Sequence, residues 1–133
     1  MKTQHIQFVL SLFAIDIALL TAHWVDLWPM LGGHPVWSSS ATYLGIGIGS
    51  LMATLSRSML VKHPRHRKQH LWIFVSVAFI AVTASIYGKI DFVASYGDDQ
   101  LAGRVWYYGF IMFIAGMPGG FATAVKLLRG STA

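Results

Sequence analysis

From Val105 through Val125 the chain contains no Asp, Glu, Lys or Arg. An uncharged stretch of that length is about what a helix needs to cross the roughly 30 Å hydrocarbon core of a bilayer. Three further stretches have the same character. One begins at Ala41 and meets no charge until Arg57, and another begins at His70 and meets none until Lys89. The first, from about Ile6, is broken by Asp16 and, near its end, by His23 and Asp26. Lipid offers no partner for backbone N–H and C=O groups, so segments of this kind must satisfy them internally as helices. The sequence therefore predicts an all-α polytopic membrane protein of one domain, 1–133, whose four transmembrane helices at about 6–28, 41–61, 70–90 and 101–128 form an antiparallel bundle.

Composition narrows the class further. Hydrophobic residues make up 55% of the 133 and charged ones 11%, against about 25% charged in an ordinary soluble domain. All the acids are aspartates, and cysteine is absent, which excludes disulfides, thiolate nucleophiles, iron–sulfur clusters and cysteine-ligated zinc.

The basic residues are segregated. Lys2, Arg57, the run Lys62-His63-Pro64-Arg65-His66-Arg67-Lys68, Lys126 and Arg129 fall at one set of span ends, leaving Lys89 and Arg104 at the other with Asp26, Asp91, Asp98 and Asp99. By the positive-inside rule both termini and the central loop are expected in the cytoplasm, and the expected location is a bacterial inner membrane. Trp24, Trp28, Trp37, Trp106, Tyr107 and Tyr108 at the outer boundary and Trp72 at the inner one suit the same placement. Asp16 and the poor cleavage site near Thr21-Ala22 argue that the first segment is a retained span rather than a signal peptide. The connection from Lys89 to Gly103 is expected to lie along the membrane surface. Pro118, within Met117-Pro118-Gly119-Gly120, is expected to kink or break the fourth span.

Asp16 is the residue with most chemical content. A carboxylate near the middle of a span costs about 2.5–3.5 kcal/mol on insertion scales and has to face protein or water. His23 follows on the same helical face and Asp26 one turn later, so Asp16, His23 and Asp26 form a polar stripe that could relay protons or hold a cation. Ser50, Thr54 and Arg57 share a face of the second span, where Arg57 either snorkels, pairs with a carboxylate or meets a lipid phosphate. Lys62, Arg65, Arg67 and Lys68 read as a contact for anionic headgroups; nucleic acid is a poor fit to so short a loop held against the bilayer. Gly45 and Gly49 (with Gly47 between them), Gly109, Gly116 and Gly120 are small-residue positions suited to close helix approach.

No cofactor is expected. A bis-histidine haem b would require two histidines at one depth on different helices, and neither His5 with His70 nor His23 with His34 lies safely within the membrane. His63, His66 and His70 have metal-ligand spacing, but Pro64 interrupts the helix and the surrounding cations repel a metal. No serine is accompanied by a histidine and an acid at an interpretable spacing.

Four short helices with one carboxylate in the first span resemble, in architecture alone, the small multidrug transporters that work as dimers. Those use a glutamate in the first span and this chain has none, so no site is carried over. Two functions are expected as alternatives. One is an oligomeric transporter or channel for protons, cations or a small solute through the polar stripe. The other is an accessory or anchor subunit of a larger, respiratory-type membrane complex that holds lipid, quinone or partner helices.

Overall fold

A computed structural model describes residues 2–130, and the side chains of residues 3–127; the predicted cytoplasmic placements of Lys2 and Arg129 rest on side chains outside that range. The described chain is helical and has no strand. Its elements are α1 (Lys2–Trp24), the short α2 (Leu27–Met30), α3 (Ser38–Lys62), a 3-10 turn at Pro64–His66, α4 (Arg67–Ala94) and α5 (Gln100–Gly130). Four helices are long and apolar enough to cross a membrane, over Thr3–Trp24, Ser38–Lys62, Pro64–Ala94 and Gln100–Leu127. At about 1.5 Å per residue, 22 residues of the shortest rise about 33 Å. Large apolar side chains lie on the outside: Leu51, Phe79, Ile80 and Ile86 are all more than half exposed, a surface suited to lipid and not to water.

The helix ends follow from local chemistry. α1 stops at Trp24, short of the expected boundary at 28, because Asp26 adopts a left-handed conformation (φ 54°) and its N–H closes onto the His23 carbonyl at 3.1 Å. α2 then lays Trp28 into the bundle, buried and edge-on to Phe110 with ring centroids 5.8 Å apart. Between α4 and α5 the connection is far shorter than expected. α4 continues to Ala94, and a tight turn through Tyr96 (φ 55°) and Gly97 (φ 88°) leads into α5 at Gln100. Asp99 caps that start, its Oδ1 accepting the Ala102 N–H at 2.9 Å, which satisfies a donor that has no partner inside the helix. The segment expected to lie along the membrane surface, Lys89 to Gly103, is therefore the end of one helix, a five-residue turn and the start of the next. α5 likewise runs as a continuous helix across Pro118; the proline is buried, and its ring lies beside Gly49 of α3.

α5 is the shared partner of the other long helices, in contact with α1, α3 and α4. Small residues make this possible. A Cβ built on Gly45 would stand 2.7 Å from Ile114 Cβ, and one on Gly49 would stand 2.6 Å from the Ala115 carbonyl oxygen. On the other face of α5, Gly109 abuts Ala81 and Ser85 of α4, Gly116 abuts Ala78, and Gly120 makes ordinary contact with Phe74. Ser85 Oγ donates to the Trp106 carbonyl at 2.9 Å, which adds a hydrogen bond between α4 and α5. Leu19, Trp28, Ala41, Phe110, Ile111 and Ile114 form the buried core beneath this contact.

Gly47 provides an internal control, since a Cβ there meets nothing within 4 Å. Gly49→Leu is expected to destabilise the protein by about 1–3 kcal/mol through overpacking. Gly47→Ala is expected to be neutral or to stabilise by up to about 1 kcal/mol through helix propensity. Thermal or denaturant melts of both variants in detergent check the contrast.

Candidate functional site

α1 and α3 meet through residues that the sequence places on two separate polar faces. The Ser50 hydroxyl donates to Asp16 Oδ2 at 2.9 Å. Further along the same seam, the His23 ring stands edge-on to Tyr43, with centroids 5.9 Å apart. In the other direction the Arg57 guanidinium lies over the Phe8 ring at 4.5 Å. The step from Asp16 to His23 on α1 is thus matched by the step back from Ser50 to Tyr43 on α3.

Asp16 is only partly served by this arrangement. Its Oδ1 is buried and has no hydrogen-bond partner among the described residues. A buried polar atom left without a partner costs about 1–3 kcal/mol, and more when charged, so the carboxyl group needs a proton, a cation or a water to complete it. Asp16 also borders an open groove of about 470 Å³ between α1 and α3, shared with His5, Ser50, Thr54, Arg57 and Ser58 and otherwise walled by apolar side chains such as Phe8 and Phe13. The hydroxyls of Thr54 and Ser58 donate to carbonyls of their own helix, at 2.8 and 2.7 Å. The groove therefore runs from the middle of α1 to the end where the basic residues gather, with a carboxylate at one end and a guanidinium at the other.

The remaining residues of the stripe part company. His23 faces α3 through Tyr43, and its Nδ1 is buried without a partner. Asp26 is exposed in the turn after α1, because the helix that would have carried it onto the same face has already ended. The basic cluster divides too. Lys62, Arg65 and Lys68 are exposed, whereas Arg57 and Arg67 are partly covered and border a second cavity, together with Lys126 of α5. His70 turns away from His63 and His66 to bond Ser56 of α3 at 2.7 Å. Among the described residues no group of three His, Cys, Asp or Glu side chains could hold a metal ion.

Sequence reasoning missed two of these residues. Lys126 reads as a flanking charge of the last span, yet it continues the face of α5 that buries Ala115 and Ala122, a periodicity that could have flagged it. His34 lies in the loop between α2 and α3, where nothing in the pattern marks it. It stacks on Trp37, with centroids 4.1 Å apart and planes 15° apart, and stands edge-on to Trp106. Its Nδ1 accepts the backbone N–H groups of Val36 and Trp37, at 3.1 and 3.2 Å.

Comparison with known protein families, curated proteins and solved structures finds no match to this chain. The functional reading therefore rests on its own residues.

Burial pushes the His34 imidazole below its ordinary range, and protonation would remove the lone pair that both N–H groups use. A histidine whose folded value is depressed contributes stability in full above its unfolded value of about 6.5, and that contribution is lost as the pH falls through the folded value. The loop is expected to loosen as the pH falls below the ordinary histidine range, with quenching of Trp37 fluorescence and a lower melting temperature. In His34→Gln the acid-side change is expected to shrink; an unaltered pH profile would contradict this role.

Proposed function

We propose that this chain is a small oligomeric transporter or channel that carries protons or another cation across a bacterial inner membrane, with Asp16 as the binding carboxylate. The observation that carries this reading is Asp16 itself. It lies inside a span, holds Ser50 with one oxygen, keeps the other buried and unpartnered, and borders a groove leading toward the basic end of the bundle. A carboxylate in that state binds a proton or cation with little rearrangement, and loss of the ligand leaves an uncompensated charge that favours a different packing of α1 on α3. His23, on the same seam, continues the route away from the basic end.

The paired contacts of α1 with α3 support an antiparallel arrangement of these helices. The gathering of Arg57, Lys62, Arg65, Arg67, Lys68 and Lys126 supports an orientation with the basic end, and hence both termini, in the cytoplasm. Four helices enclose little volume, and Ile6, Leu10, Phe13 and Ile17 leave an exposed apolar stripe along α1 on which a second copy could close the groove. The groove's opening to the side of the bundle favours a second reading as well, an accessory subunit in which a partner helix covers Asp16.

Flux in proteoliposomes separates the two readings. A pH-sensitive dye trapped inside is expected to report proton or cation-coupled flux that falls at least tenfold in Asp16→Asn and several-fold in Ser50→Ala, with both variants folded by circular dichroism and gel filtration. Equal flux in wild type and Asp16→Asn would remove the transport reading. A chain that aggregates unless a partner subunit is present would favour the accessory one.

A further inference from the structure

The cavity at the basic end differs in chemistry from the Asp16 groove. It has a volume of about 290 Å³ and lies among α1, α3, α4 and α5, bordered by Gln4, Gln7, Arg57, Arg67, Thr123 and Lys126 above an apolar floor. Each cation comes from a different helix, and all three border the same cavity. Like charges gathered around one partly covered site repel one another. Among the described residues no carboxylate borders this cavity. Of the five acidic side chains, Asp26, Asp91, Asp98 and Asp99 lie in or beside the connections at the opposite helix ends, and Asp16 lies with Ser50 in the separate groove between α1 and α3. Arg67 adds an independent sign of a missing partner, since its Nε is buried with no acceptor among the described residues.

We infer that this cavity binds a phosphate-bearing anion, held by Arg67 and Lys126 with Arg57 at the rim. Guanidinium groups match phosphate oxygens in pairs and an ammonium adds a compact charge. The side-chain amides of Gln4 and Gln7 supply neutral donors for the remaining oxygens, while the Thr123 hydroxyl is taken by the Gly119 carbonyl at 2.8 Å. The anion offsets the mutual repulsion of the cations and locks the ends of four helices together. Its source is either the headgroup of an anionic lipid, whose chains would lie on the neighbouring apolar surface, or free phosphate from the cytoplasm. The exposed Lys62, Arg65 and Lys68 attract anions to the surface without forming this site.

The test uses the full-length protein in a neutral detergent. Native mass spectrometry follows the binding of added phosphatidylglycerol, with phosphatidylcholine as the neutral control, and thermal melts follow titration with inorganic phosphate. The Arg67→Gln, Lys126→Gln double variant is expected to lose at least tenfold in affinity for the anion that binds. The Lys62→Gln, Arg65→Gln, Lys68→Gln triple variant is expected to stay within about twofold of wild type, as is Asp16→Asn, which separates this site from the transport reading. Saturable binding of phosphatidylglycerol alone identifies a lipid headgroup as the ligand, and stabilisation by inorganic phosphate identifies the free anion. Should the double variant fail to fold, Lys126→Arg, which keeps the charge, is expected to retain binding, and Lys126→Gln alone is expected to melt higher than wild type without the anion. Anion binding that survives in the double variant, or falls equally in the triple variant, overturns the inference, as does the absence of any saturable binding.

Discussion

The close approach of α5 to α3 on one side and to α4 on the other is the contact from which the remaining geometry follows. In lipid the hydrophobic effect does not drive helices together, so association depends on packing at short range and on hydrogen bonds between helices. Gly45 and Gly49 let α5 reach the backbone of α3, Gly109 and Gly116 let α4 reach α5, and Ser85 bonds across the second contact. Pro118 takes part in this packing. It gives up a backbone donor, but its ring fills the space beside Gly49 and the helix continues. With these three helices fixed, α1 is laid against α3 and α5 with one flank uncovered. The polar groups that look most functional are on that helix.

This division assigns different work to the two ends of the bundle. At the acidic end, Trp28, Trp106 and His34 close the structure with aromatic contacts, and Trp106 Nε1 donates to the Gly32 carbonyl at 3.2 Å. At the basic end, α3, α4 and α5 each bring a cation to the edge of one cavity, which leaves room for an anion. Asp16 lies between them on the helix least enclosed by its neighbours, where a change in its charge can alter packing without disturbing the core of Phe110, Ile111 and Ile114.

The helices themselves were legible in the sequence because charge-free length is a strong signal, and their small residues were legible because packing in lipid selects them. Helix ends were less so. Asp26 ends α1 through a left-handed backbone conformation, and Ser95 and Asp99 shorten the second connection through capping bonds; these depend on local geometry that hydropathy does not carry. The Asp16 face and the Ser50 face could each be read from helical periodicity, but their union could not, since it depends on the register between two helices. Lys126 shows the same limit. Its charge reads as topology until α4 and α5 bring it beside Arg67.

The proposed transport role requires that the groove give access to Asp16 from the basic end of the bundle and that this end face the cytoplasm. The chain has no native cysteine, so single cysteines can be placed at will. Labelling of Thr54→Cys, in the groove, and of Leu51→Cys, on the exposed apolar surface, with a membrane-impermeant thiol reagent in vesicles of each orientation tests it directly. The prediction is rapid labelling of Thr54→Cys from the cytoplasmic side only, with Leu51→Cys at least tenfold slower. Equal protection of both positions, or labelling of Thr54→Cys from the opposite side, would contradict it.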